Sequence, residues 1–470
     1  MNWVLISIFG YIVVQVVVCG LFLRKMKNEK DYFLAGRSLG IGLVTFSIFA
    51  TWFGAETCIG SSAEVFQKGL SGARTDPLGY TVCLLFMGFF LASRLWKKNL
   101  ITLGDLFRTR YSKSVEIIGV LIMIPSSLMW AAAQIRGFGQ IISASSTFHV
   151  EAAIGIAALL TIAYTMMGGL LADVFTDLIQ GIVLIIGLII VLFSILHSVG
   201  DPVILFKNID PSRLQLFTHE FSPLRTLELW VSPILASLVC QEMISRIIAA
   251  RAPTIAKQSC FIAASIYIVI GFIPVILGIL GPQLLGHVPE HEQFFALLAK
   301  KYLTTPLYIL FVGALISAIL STVDSALLAV ASLVSHNLVF PVLKNASEAH
   351  KVFIARTTVV IAGIVAYIIA INSSGIYELI EGTASTVGTA GIFVIAMFGL
   401  FTDFGNKESA LGALIASCVA MPLAKNIFHF EAPYLISLTV SLVTYVVIGI
   451  YPYFLRVLEA TFGQSSQEVP

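Results

Sequence analysis

Apolar runs of about 20 residues, each long enough to cross a hydrocarbon core of roughly 30 Å, recur along this chain from Trp3 to beyond Ile450. No single water-soluble domain can hide so many. Inside a bilayer each backbone donor and acceptor has to be satisfied within the protein, and a run of this length does that as a helix. Composition agrees: 58% of the 470 residues are hydrophobic and 11% are charged, against roughly 25% charged in a soluble domain. The sequence therefore specifies an all-α integral membrane protein.

Reading the runs against Pro, Gly and charge clusters places spans near 3–23, 38–65, 73–95, 114–146, 150–167, 170–198, 224–249, 257–284, 305–338, 353–372, 376–403, 408–427 and 431–457, about thirteen in all. The first run has no basic leader or small-residue cleavage site, so it is expected to be retained as a helix. Lys and Arg in alternate loops divide nineteen to eight, and the basic excess marks the cytoplasmic side. That expectation puts the N-terminus outside and the C-terminus in the cytoplasm of a multi-pass plasma-membrane protein. It counts Arg246, Arg251 and Lys257 together as one cytoplasmic loop.

The same inventory removes several classes of function. A formal net charge of +2 with dispersed basic residues gives no footprint for nucleic acid. Cys19, Cys58, Cys83, Cys240, Cys260 and Cys418 lie singly in apolar runs without ligand-spaced histidines, so neither a disulfide framework nor a zinc site is expected. No GxxxxGK[ST] loop is present to hold a nucleotide. The longest stretches between spans are short, so function is expected among the helices, with no covalent catalysis, no organic cofactor, and the lipid bilayer as surroundings.

Ionisable groups inside spans cost roughly 2.5–3.5 kcal/mol each and point to a pathway or a coupling ion. Glu56, Arg136, Asp177, Glu242 and Asp324 are such groups, although each could instead serve an internal ion pair that only orients helices. Around Glu56 the second span reads TFSIFATWFGAETCIGSSAE, where Gly54, Glu56 and Thr57 interrupt an apolar helix at mid-depth. A broken helix follows from this, and unwound backbone at that depth frees carbonyls that can coordinate Na⁺. In the ninth span, which ends near Leu338, Ser321, Thr322, Asp324 and Ser325 cluster within five residues, and 321, 324 and 325 share a helical face. Their hydroxyls could bond their own i−4 carbonyls; the carboxylate favours a cation site.

DYFLAGRSLG (31–40), ATWFGAET (50–57), YTMMGGLLADVFTDLIQG (164–181) and SAILSTVDSALLAVAS (317–332) resemble the sodium:solute symporter family. The resemblance implies a LeuT-type fold: two inverted five-helix repeats, about 38–198 and 224–403 within a core of 31–403, preceded by the first helix (1–30) and followed by two helices and a short tail (404–470). It also implies Na⁺ as coupling ion, held by the carbonyls of Ala50, Phe53 and Ala318 and the hydroxyls of Ser321 and Thr322. A second cation would use Asp177, Asp324 and Ser325. Two carboxylates there depart from the mostly serine pattern.

Within the family the sequence is most similar to the choline carriers, through Trp52 in ATWFG, Tyr80 in DPLGY, Trp130 in WAAAQ and VDSALLAVASLVSHN. Aromatic faces suit a quaternary ammonium, although such rings also serve packing or the membrane interface. Cys240, beside Gln241, stands where those carriers supply a tryptophan. Glu56 could meet a substrate ammonium, and Arg136 a carboxylate or Glu56 itself. The resemblance thus implies a symporter importing an amine-bearing or zwitterionic solute such as choline, betaine or an amino acid, with a solute sensor or a sodium-independent uniporter as alternatives.

Overall fold

The computed structural model describes residues 3–22, 28–218, 221–288, 291–343, 346–384 and 386–462. Among them the secondary structure is helical, with one isolated bridge between Leu39 and Ala250. The expected tail beyond residue 462 and the basic cluster Arg24, Lys25 and Lys27 lie outside the described residues.

The helices that carry the argument are α1 (Trp3–Phe22), α2 (Ile41–Trp52), α3 (Ser62–Lys68), α4 (Tyr80–Phe86), α5 (Leu103–Arg110), α6 (Lys113–Ala144), α7 (Val150–Ser198) and α8 (Pro223–Ser237). They continue as α9 (Gln241–Ala249), α10 (Pro253–Leu285), α11 (Thr305–Ser332), α12 (Glu348–Asn372), α13 (Ile376–Ala384), α14 (Thr389–Phe401), α15 (Lys407–Pro422) and α16 (Pro433–Phe462). By length and hydropathy, eight described helical segments can cross a membrane, or nine with the bent pair α8 and α9 taken as one span. This is fewer than the thirteen runs read from sequence because several runs are broken or merged. At about 1.5 Å per residue the 49 residues of α7 are far longer than one crossing needs. Gly169, at φ 56° and ψ −179°, divides it between the runs expected at 150–167 and 170–198.

At the centre lies α11, packed against α7, α6 and α2. From Phe311 to Ser332 nearly every side chain is buried, as expected of a helix apolar all round. Small residues let its neighbours come close. A Cβ at Gly187 would meet Ala314 Cβ at 2.6 Å, which explains glycine on the facing side of α7. Against this continuous helix lie two interrupted ones: α2 stops at Trp52 before the chain resumes helically at Glu56, and α8 and α9 meet at 45° across residues 238–240.

Candidate functional site

The break after α2 frees carbonyls at the end of that helix, and side-chain hydroxyls reach two of them, Ala50 O and Trp52 O. Ala50 O accepts from Ser321 Oγ at 2.8 Å and Thr322 Oγ1 at 3.3 Å. Both hydroxyls also donate to Ala318 O, at 2.8 and 3.0 Å. Each hydroxyl has one proton to give, so local back-bonding and the reach across to α2 compete for it. Trp52 O receives Thr57 Oγ1 at 3.4 Å and Tyr267 OH at 3.2 Å. On the far side of the break Gln134 Oε1 accepts from Ala55 N at 2.8 Å. Gly54 has no alternative here, since a Cβ would lie 2.5 Å from Gln134 Oε1 and 2.6 Å from Thr322 Oγ1. Ala50, Ala318, Ser321 and Thr322 thus converge. Phe53 caps α2 immediately before Gly54, with φ −83° and ψ 73°. This is a small, dry cluster of neutral oxygens, the donor type that suits a hard monovalent cation.

Beyond the break, two carboxylates share an aromatic pocket. Glu56 Oε1 accepts from Tyr80 OH at 2.8 Å. Asp76, which the sequence reading did not single out, accepts from Thr57 Oγ1 at 2.5 Å and Tyr267 OH at 3.0 Å. Ser61 Oγ donates to the Asp76 carbonyl at 2.6 Å and so fixes the loop that carries it. Neither carboxylate forms an ion pair with a lysine or arginine among the described residues. Tyr80 stacks obliquely on Trp52 with centroids 5.2 Å apart, and Tyr267 stands edge-on to Tyr80 at 6.5 Å. A cavity of about 200 Å³ is lined in part by Glu56, Asp76 and Tyr80; Trp52 is 1% exposed and lies behind Tyr80.

Several other expected substrate residues sit elsewhere. Cys240, at the start of α9, lies against Trp52. Gln241 has its amide on Leu103 N at 2.9 Å, Ser245 Oγ at 3.0 Å and Ile101 O at 3.5 Å, so it holds the 101–103 loop. Trp130 is half-buried against the core and makes no ring contact with Trp52, Tyr80 or Tyr267. Arg136 is not the partner of Glu56: its guanidinium caps the carbonyls of Ala370 and Ser374 at 3.0 and 3.1 Å beside a second crevice.

The positions expected to hold a second cation are close together, but around a guanidinium. Arg246 is 1% exposed on α9, not in a loop. Its Nη2 bonds Asp173 and Ser325 and stands 4.0 Å from Asp177 Oδ2. Asp177 accepts from Ser47 Oγ at 2.5 Å. Asp324 turns towards α7, where Thr165 Oγ1 donates to it at 2.5 Å. Glu242 is buried one turn before Arg246, which bonds its carbonyl at 3.2 Å. Neither Asp173 nor Arg246 stood out in the sequence. An aspartate among in-span polar residues gave a visible signal for the first; the second was masked by nearby loop arginines.

A continuous central helix flanked by two broken ones, with polar groups gathered at the breaks, is the arrangement of a membrane solute carrier. Solved structures share this fold. A Na⁺-coupled sialic acid symporter, in a substrate-bound outward-open state, superposes with a TM-score of 0.81 at 18% identity over 95% of this chain and 96% of that one. A nucleobase-cation-symport-1 family transporter in a closed conformation gives 0.61 at 14% identity, over 93% and 96%. The architecture is LeuT-type. Residues 32–418 match the sodium:solute symporter family, and the chain belongs to that family.

Its relatives include a high-affinity choline transporter of Caenorhabditis elegans, 25% identical over 79% of this chain and 69% of that protein. The human high-affinity choline transporter is 27% identical over 75% and 64%. A sodium-coupled monocarboxylate transporter of mouse is 23% identical over 87% and 70%. The chain thus spans about two thirds of the length of these relatives.

Proposed function

We propose that this sodium-coupled carrier imports a small solute bearing an ammonium group, either a choline-like amine or a zwitterion such as betaine or an amino acid. The observation that carries this reading is the pairing of Glu56 and Asp76 with hydroxyls alone, beside the rings of Tyr80 and Tyr267. A buried carboxylate is costly unless a charge partner is present. A mobile cationic group would supply one, and aromatic faces add roughly 0.5–2 kcal/mol per contact to its binding. Sodium would sit at Ala50, Phe53, Ala318, Ser321 and Thr322, where its charge tightens the join between α2 and α11. The shared break in α2 links the sites, because Trp52 O and Ala50 O lie two residues apart on one helical end.

In the same reading the core is residues 31–403, with repeats near 38–198 and 224–403, and the helices after 404 are peripheral. The basic excess orients the chain with its N-terminus outside, so the Glu56 cavity opens outward near Lys68, Arg74 and Arg225. Uptake of labelled choline, betaine and amino acids into proteoliposomes, with and without a sodium gradient, tests this. Sodium-driven uptake of at least one supports it. Transport confined to uncharged sugars or simple carboxylates overturns the solute class, and uptake indifferent to sodium overturns the coupling.

A further inference from the structure

Three carboxylates, Asp173, Asp177 and Asp324, are buried where α7, α9 and α11 meet, and one positive side chain stands among them. That side chain is Arg246. A single nitrogen, Nη2, bonds both the Asp173 carboxylate and the Ser325 hydroxyl and faces Asp177 Oδ2 at 4.0 Å. Ser325 is simultaneously tied to Ser321 O at 2.7 Å and to Thr51 Oγ1 at 3.1 Å. Nη2 therefore stands between Ser325 and Asp177, the place an ion shared by the two would take. The remaining carboxylate offers no second place: between Thr165, Asp173, Asp324 and Cys19 there is no room for a water molecule.

We propose that Arg246 is a tethered cation that fills the second cation position, so that one mobile sodium, at Ser321 and Thr322, accompanies each solute. A guanidinium is permanently charged and planar, and its fork can satisfy carboxylates and a hydroxyl at once. It differs from a bound ion in one respect that matters for coupling: it cannot leave. The cluster sets three acids beside one base, one helical turn from Ser321, which Ser325 joins directly. With the guanidinium in that place, the Ser321 position can take a monovalent cation without a second mobile one beside it. Arg246 acts here through the sites it neighbours, as a residue that sets stoichiometry.

The inference rests on the sodium reading above, and the test separates the two. Purified full-length protein is titrated with ²²Na⁺ to count ions bound per chain, alongside the Hill slope of sodium-dependent thermal stabilisation. Wild type is expected to bind one ion with a slope near one. Arg246→Lys should keep that count, whereas Arg246→Gln, with the position vacated beside uncompensated carboxylates, should gain a second ion and a slope approaching two. Asp177→Asn, in case Arg246→Gln does not fold, should leave the count at one. Two ions in wild type, a fall from two to one in Asp177→Asn, or a folded Arg246→Gln that still binds one overturns the inference alone. No bound sodium in wild type overturns the sodium reading and this inference with it.

Discussion

The two buried acidic clusters of this protein have opposite solutions to the same electrostatic problem. Glu56 and Asp76 are surrounded by hydroxyls and rings beside an open cavity, whereas Asp173 and Asp177 lie against Arg246, and the gap between Asp173 and Asp324 has no room for a water molecule. A carboxylate held by neutral donors stays available to a visiting cation. One held by an in-built guanidinium does not. Between the clusters lies the neutral oxygen set of Ala50, Ala318, Ser321 and Thr322, which has no formal charge of its own and borrows the field of both neighbours. On this view the outer cluster selects the solute, the inner one fixes the number of ions, and the join between α2 and α11 is where they communicate.

The sharpest way to break the comparison is to remove the built-in cation. Deleting one partner of a buried pair costs about 3–5 kcal/mol because the remaining charges lose their counter-ion. Arg246→Gln is therefore expected to melt well below wild type in sodium-free buffer and to recover part of the loss in sodium. Asp173→Asn, which lowers the acid excess, should be milder, as read by thermal melting of detergent-solubilised protein. If Arg246→Gln melts like wild type in sodium-free buffer, the inner cluster is not electrostatically dependent on its arginine.

Next in size is the outer cluster. Losing one charge partner of a buried ammonium costs about 2–5 kcal/mol, so Glu56→Gln should weaken binding of an amine-bearing solute by roughly 30-fold or more. Asp76→Asn should act in the same direction. Because neither side chain touches the Ser321 set, the sodium concentration for half-maximal ion binding should change little. A parallel loss of sodium affinity would show that the clusters are not separable.

Smaller effects are expected at the join. Ser321→Ala or Thr322→Ala removes one oxygen from a charged ligand, worth about 1.5–3 kcal/mol, so each should raise the half-saturating sodium concentration by roughly ten-fold or more. Gly54→Ala should do so too for a steric reason, since its Cβ would push on Thr322 Oγ1 and Gln134 Oε1. Unchanged sodium dependence in both hydroxyl variants, at normal expression, removes these residues from the ion site.

What the sequence made legible follows from what is local. The break at Gly54 and the division of α7 at Gly169 are set by neighbours in the chain, and each appeared where glycine placed it. The polar patch at 321–325 was readable for the same reason. Asp76 became part of a site only through Thr57 and Tyr267, the latter 191 residues away, and no local pattern announces that meeting. Arg246 was misread because a basic residue beside loop arginines looks like a marker of the cytoplasmic side; only its bonds to Asp173 on α7 and Ser325 on α11 reveal it as interior. Arg136 shows the reverse error, an in-span arginine whose long side chain carries its charge to the carbonyls at the end of α12.

That last residue supplies the smallest expected effect and a check on the whole comparison. If Glu56 is held only by Tyr80 and by solute, then Arg136→Gln should alter solute binding by less than about two-fold, because residues without shared partners act independently. The double variant Glu56→Gln with Arg136→Gln should then equal the sum of the singles to within about 0.5 kcal/mol in binding free energy. Rescue of Glu56→Gln by the second change would mean that the two charges form a pair in some state of the transport cycle, and the outer cluster would no longer differ in kind from the inner one. Additivity, measured by solute titration of purified protein at saturating sodium, leaves Glu56 without a basic partner from Arg136 and keeps its charge free for the solute.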